Sequence, residues 1–220
     1  MSFSLLLIKV PALLAAMIAE YVTYTPPTPP PRSEETQSYN GGDLISHSAR
    51  IGAYLTLAYA WTVHGCEVVA ILAQNARSPS SPTIVSTLFS TPAAARQLNI
   101  DPVFLLGLSL LVLAILKEHK LVTWGPYSVV RHPGYTGMIA SLLGMFMMQL
   151  SPRSWIAVSG VLDTTLGRAV IGAWVVWGML MVIGFVRRVP REDMVLKKEF
   201  GTQWDEWATR VPYTLVPYVW

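Results

Sequence analysis

The sequence predicts an all-α integral membrane protein, with about five transmembrane helices and a C-terminal amphipathic helix lying in the interface. Three observations carry that prediction. Of the 220 residues, 52% are hydrophobic and 13% charged, and the mean hydropathy is +0.43, a composition that belongs to bilayer-embedded chains. Five segments, residues 3–24, 51–74, 98–116, 135–150 and 168–186, approach the roughly 20 residues needed to cross about 30 Å of hydrocarbon. The basic residues gather at the ends of these segments and form no stripe, so the net charge of +3 reads as a topology signal and not as a nucleic-acid surface.

Taken in order, the first segment has no basic stretch before its apolar run, and Lys9 interrupts that run. It reads as a retained transmembrane helix, not a cleaved signal peptide. The prolines of residues 26–31 lack amide donors and favour a stiff, solvated polyproline II spacer. The second segment carries His64 and Glu67, three residues apart near mid-membrane depth. Two such groups make no zinc site, and a polar patch facing the bundle interior is the preferred reading. Ser, Thr and Pro in residues 75–92 predict a loop. The fourth segment is short, and Gly137, Ser141 and Gly144 allow a neighbouring helix to approach it closely. Residues 155–162 are apolar but too few to span, which suits a re-entrant or interfacial piece after Pro152. In the tail, Leu196, Phe200, Trp204, Trp207 and Val211 recur at helical spacing, with Lys197, Lys198, Glu199, Asp205 and Glu206 on the other faces. Gly201 loosens that amphipathic helix midway.

Lys117, Lys120 and Arg131 lie between the third and fourth segments, and Arg187, Arg188, Arg191, Lys197 and Lys198 follow the fifth. A count of five spans puts both groups on one side of the membrane. The positive-inside tendency makes that side cytoplasmic.

Residues 119–137 place two histidines, a lysine, an arginine and two tyrosines between apolar segments. Where the bilayer supplies no water, so dense a polar cluster at a helix end implies a site. Turns at Gly125-Pro126 and His132-Pro133-Gly134 hold the loop, and the start of the fourth segment aims amide groups and a positive dipole end at it. Such a place suits an anionic group, or a ligand with a carboxylate and an aromatic ring. In the second cluster Arg188 and Glu192 are four residues apart, with Asp193 adjacent. An arginine can clamp a carboxylate and an acidic residue can balance a cation. Pro190 lies between them, so a shared helical face does not follow from spacing alone. The single cysteine, Cys66, leaves a disulfide framework without partners, and the usual signatures of nucleotide binding, zinc proteolysis and serine hydrolysis are absent.

The ordered motifs His119-x-Leu-Val-Thr-x-Gly-Pro-Tyr127, Arg131-His-Pro-x-Tyr-x-Gly137, Arg188-x-x-x-Glu192-Asp193-x-x-Leu196-x-x-x-Phe-Gly201 and Val211-Pro212 resemble the isoprenylcysteine carboxyl methyltransferase family. The resemblance covers about residues 116–220. It implies a membrane enzyme of the endoplasmic reticulum, multi-pass with its active site facing the cytosol. Such an enzyme uses S-adenosylmethionine to methylate the C-terminal carboxylate of prenylated cysteine in CaaX-type proteins, with membrane lipid as the other partner and neither metal nor nucleic acid.

On that resemblance, residues 1–97 form two N-terminal transmembrane helices with their loops, and residues 98–220 the catalytic core. His119, Lys120, Leu121, Val122, Tyr127, His132, Pro133, Gly134, Tyr135 and Glu192 would hold the cofactor. Arg188 would bind the substrate and, with Glu192, serve catalysis. Asp193 stands where the family usually has a second Glu, and Val112 where eukaryotic members tend to have a cofactor-contacting Gln.

These residue types suit that chemistry. An α-carboxylate, with a pKa of about 3.3 to 3.7, is ionised at neutral pH and attacks a methyl donor without a general base. The enzyme's work is then alignment and partial desolvation. Three other readings remain: a phospholipid N-methyltransferase, a relative of NADPH-dependent sterol reductases, and a membrane binding protein without turnover.

Overall fold

A computed structural model describes residues 5–25, 44–76, 78–113 and 125–220. It is helical, with no strand among the described residues. The helices are α1 (Leu5–Tyr24), α2 (Leu44–Asn75), α3 (Ser81–Leu88), α4 (Pro92–Ala95), α5 (Pro102–Leu113), α6 (Pro133–Gln149), α7 (Trp155–Val158), α8 (Thr165–Phe200) and α9 (Thr202–Arg210), with single 3-10 turns at Gly125–Ser128 and Val161–Asp163. Three of them, in α1, α2 and α8, are long and apolar enough to cross a membrane, and the chain is a membrane protein. The Pro-rich spacer falls outside the described residues.

Several local readings change. Residues 75–92, expected as loop, contain α3, because Pro82 sits in its first turn, where its missing amide costs nothing. The apolar stretch after Pro152 resolves into one helical turn and one 3-10 turn, with Ser154 capping the amide of Ala157. The amphipathic tail is two pieces. Residues up to Phe200 continue α8, and Gly201, at φ 54, ends it and starts α9. A positive φ is a conformation glycine adopts without steric cost.

Two pairs of glycines and aromatics set the packing. A methyl group on Gly144 of α6 would lie 2.5 Å from the carbonyl oxygen of Gly107 on α5, and one on Gly107 would lie 2.5 Å from that of Gly144. The two backbones therefore touch, as small residues permit in membranes. Gly178 of α8 gives the same access to the ring of Phe146. Trp174 stacks on Tyr59 at 4.2 Å and donates its indole N–H to Gln149 at 3.0 Å, while Trp177 reaches Thr56. These contacts join α2, α6 and α8 around Leu57, Ala60, Leu142 and Met145.

A second core joins α1, α2 and α5 through Leu13, Ile71, Phe104 and Leu111. Inside it the lysine that interrupts the first apolar run is fully buried and paired. Lys9 Nζ lies 2.5 Å from Glu67 Oε1 and donates to the carbonyls of Asn99 and Arg153 at 2.6 and 3.2 Å. The buried ammonium thus has one carboxylate as its ion-pair partner and two carbonyls as hydrogen-bond acceptors. The other Glu67 oxygen accepts from the Trp155 amide at 3.1 Å. One turn away, His64 contacts Glu20 of α1 at 3.1 Å. The polar patch read from His64 and Glu67 therefore faces the bundle interior, each member held by a charged partner on α1.

Two outcomes follow. Gly144→Ala should lower stability by about 1–3 kcal/mol through forced separation of α5 and α6, measured by thermal unfolding in lipid nanodiscs beside Gly172→Ala, whose added methyl meets nothing within 4 Å. Lys9→Met should cost about 3–5 kcal/mol by leaving Glu67 charged and unpaired. The double variant Lys9→Met/Glu67→Gln, which buries no charge, should recover most of that loss in the same assay.

Candidate functional site

The site forms where the start of α6 meets the far end of α8. At about 1.5 Å per residue, the 36 residues of α8 run for roughly 54 Å, well beyond about 30 Å of hydrocarbon. The last turns, with Arg188, Glu192 and Asp193, therefore stand clear of the apolar slab. Helix α8 continues through Pro190, so Arg188 and Glu192 share a face after all, and both engage the Tyr135 hydroxyl. Tyr135 donates a hydrogen bond to Glu192 Oε2 and accepts one from Arg188. Its ring lies between Phe185, at 5.7 Å, and His132, at 5.8 Å.

Asp193 takes a different pair of partners. Its Oδ1 lies 2.7 Å from His132 Nε2, and its Oδ2 accepts from Arg131 at 3.2 Å. His132 is buried at the N-cap of α6, immediately before Pro133. An N-cap side chain usually turns back to its own helix. Here the ring is committed to α8 and makes no capping bond, and Thr136 instead donates to the His132 carbonyl at 3.2 Å. Burial first, and then the nearby Glu192 carboxylate, push the Tyr127 phenol above its usual range. Tyr127 is therefore a neutral hydroxyl beside the site at physiological pH.

The segment after α9 closes the arrangement from a third side. The Arg131 amide donates to the Tyr213 carbonyl at 2.9 Å and the His132 amide to that of Thr214 at 3.0 Å. The Arg131 guanidinium reaches the Pro212 carbonyl and the Thr214 hydroxyl, and Thr136 donates to the Leu215 carbonyl at 2.7 Å. Val211, Thr214 and Leu215 are themselves buried. Trp204 of α9 lies over Arg131 at 5.9 Å.

The structure thus brings together Tyr127, His132, Pro133, Gly134, Tyr135, Arg188 and Glu192, from segments that the sequence separates by more than fifty residues. His119, Lys120, Leu121 and Val122 lie outside the described residues. Sequence reasoning missed Asp193 as the partner of two site residues, and missed the strap of residues 212–215. Backbone carbonyls leave no mark in side-chain spacing. Val112 is half exposed on α5.

Fold and site together define a polytopic helical membrane protein with a charged, aromatic site at one end of its bundle. Residues 109–171 match the model of the Isoprenylcysteine carboxyl methyltransferase (ICMT) family. The match includes Tyr127 and His132 to Tyr135 and ends before Arg188. A relative from Arabidopsis thaliana named protein-S-isoprenylcysteine O-methyltransferase B is 38% identical over 47% of this chain and 42% of its own length. A second from the same plant, protein-S-isoprenylcysteine O-methyltransferase A, is 34% identical over the same shares. One from Oryza sativa subsp. indica, named probable protein-S-isoprenylcysteine O-methyltransferase, is 30% identical over 46% of this chain and 43% of its own length. The chain therefore covers less than half the length of these relatives. No solved structure matches it significantly.

Removal of residues 212–220 should leave the helix content of the membrane core unchanged and release the loop at the start of α6. Hydrogen exchange at the Arg131 and His132 amides should then quicken at least about tenfold, as about 1.4 kcal/mol of local protection is lost.

Proposed function

We propose that this chain is a methyltransferase that uses S-adenosylmethionine to convert the C-terminal carboxylate of a prenylated cysteine into its methyl ester. The observation that carries the reading is the convergence of Arg188 and Glu192 on the Tyr135 hydroxyl, in a chain whose residues 109–171 match the ICMT family. The named relatives support the reaction class. We assign residues 98–220 to the catalytic core. Membrane-attached proteins ending in a prenylated cysteine are its substrates.

The charge pattern fits the cofactor. Asp193 is already paired with Arg131 and hydrogen-bonded to His132, whereas Glu192 Oε1 stands 4.0 Å from His132 Nδ1, beyond hydrogen-bond length. Two acceptors so spaced suit a cationic donor, and S-adenosylmethionine carries an ammonium and a sulfonium. We place His119, Lys120, Leu121, Val122, Tyr127, His132, Pro133, Gly134, Tyr135 and Glu192 around it. When bound, it supplies the electrophilic methyl group.

The chain's own residues then have distinct work. Arg188 orients the substrate carboxylate by a two-pronged, charge-assisted contact. Tyr135, locked between Glu192, Arg188 and two rings, keeps these groups from shifting as ligands enter. No general base is required, because a carboxyl of pKa about 3.3 to 3.7 is already ionised at neutral pH. Catalysis by this chain is alignment in a partly dry site. The prenyl chain gains about 0.8 kcal/mol per buried carbon from an apolar environment, which favours entry from the bilayer. The meeting of Arg131 with the end of α8 supports both basic groups lying on one membrane face. We take that face as the cytosolic side of the endoplasmic reticulum.

Membranes containing this chain should transfer labelled methyl from S-adenosylmethionine to N-acetyl-S-farnesyl-cysteine. Arg188→Ala and His132→Ala should each reduce transfer by about a hundredfold or more at unchanged protein levels. Absence of transfer by well-expressed wild type would overturn the reading, and methylation of lipid amines in its place would direct it to phospholipids.

A further inference from the structure

We propose that Asp193 is a positioning residue that fixes the ring tautomer of His132, so that Nδ1 presents a lone pair toward Glu192 and to a bound cation. An ionised carboxylate can only accept hydrogen bonds. The 2.7 Å contact between Asp193 Oδ1 and His132 Nε2 therefore places the ring proton on Nε2. In the neutral ring, Nδ1 is then an acceptor. It stands 4.0 Å from Glu192 Oε1, and an ammonium nitrogen about 2.9 Å from each fits between two acceptors at that separation.

The carboxylate itself is well anchored. Its other oxygen binds Arg131, which is held in turn by the Pro212 carbonyl and the Thr214 hydroxyl. Amides of residues 131 and 132 are pinned by the strap, and the ring is stacked beside Tyr135. The ring can neither flip nor slide, so the state of one carboxylate decides which nitrogen carries the proton. The neighbouring acids divide the work. Asp193 orients, and Glu192 stays available to the ligand. The role assigned to the bound cation rests on the methyltransferase reading, whereas the tautomer does not.

The full chain, labelled with 15N-histidine in nanodiscs, gives a direct readout. His132→Gln identifies the His132 signals among those of the four histidines. Wild type should show a protonated Nε2 and an unprotonated Nδ1. Asp193→Asn, whose amide can donate to Nε2, should shift the population toward Nδ1–H, as a carboxylate-to-amide change beside a histidine does elsewhere. Asp193→Glu should keep the wild-type tautomer, because it keeps the acceptor. Arg131→Gln should also keep it, which separates the ring contact from the ion pair.

In a binding assay, Asp193→Asn should weaken S-adenosylmethionine by about tenfold or more, the loss of one hydrogen bond to a charged group, and Asp193→Glu should stay within about threefold of wild type. Wild-type spectra showing Nδ1–H or a doubly protonated ring would overturn the proposal, as would an Asp193→Asn variant that leaves both tautomer and affinity unchanged. If the tautomer responds as described but wild type transfers no methyl to prenylcysteine, the positioning role stands and the substrate reading fails.

Discussion

A hydrocarbon slab offers no hydrogen-bond partners, so each polar group that this chain carries into it must be met from within the chain. That constraint explains the otherwise costly residues of the first two helices. Lys9 lies in an apolar run and is completely buried, yet its ammonium is paired with Glu67 and bonded to two backbone carbonyls. The carbonyls belong to Asn99 and Arg153, at the connections beside α5 and α7. One lysine therefore ties four parts of the chain at one end of the bundle. A pair of this kind adds little net stability over an apolar replacement, because desolvation offsets the attraction. What it supplies is register, since α1 and α2 meet their partners at one axial position only.

The opposite end of the bundle obeys the same constraint with a different result. Helix α8 is too long for the membrane, and its surplus carries charge. The start of α6 is made from His132 and Pro133, with Arg131 before them. Neither element satisfies these groups alone. Arg131 and His132 take Asp193 from α8 for their side chains and carbonyls of the strap for their amides. The site is thus an assembly of three chain segments whose polar groups are incomplete until all three are present. Close contact of α5 and α6 at Gly107 and Gly144 and of α6 and α8 at Gly178 brings the helices near enough for these short bonds.

Much of this was legible in the residues themselves. Hydropathy marks the long helices because lipid exposure demands apolar side chains over a fixed length. The two polar clusters stand out because such groups are rare near apolar segments. Gly144 was readable as a close-approach position, although its partner Gly107 was not, since packing partners leave no trace in one chain's periodicity. The break at Gly201 was only half legible. Apolar spacing continues across it from Phe200 to Trp204, and the positive φ that separates α8 from α9 depends on backbone geometry. Helix α3 was hidden by its Ser, Thr and Pro content, which favours turns unless a proline falls in the first turn. His64 and Glu67 were readable as inward-facing. Their partners Lys9 and Glu20 were also ionisable residues in an apolar run, and charge balance between the first two spans was the signal that would have paired them.

The adjacent acids Glu192 and Asp193 show why residue type alone does not assign a role. On a helix, successive residues point about 100° apart, so the two carboxylates address different neighbours. Asp193 meets an arginine and a histidine and is consumed in holding them. Glu192 meets a phenol that also accepts from Arg188, and one of its oxygens faces the ring of His132 across a gap. The strap fixes Arg131 and His132 through three backbone carbonyls and a hydroxyl, so the two groups that Asp193 meets are themselves held in place. Residue 193 therefore acts on partners that the strap has already positioned, whereas Glu192 borders a gap beside His132.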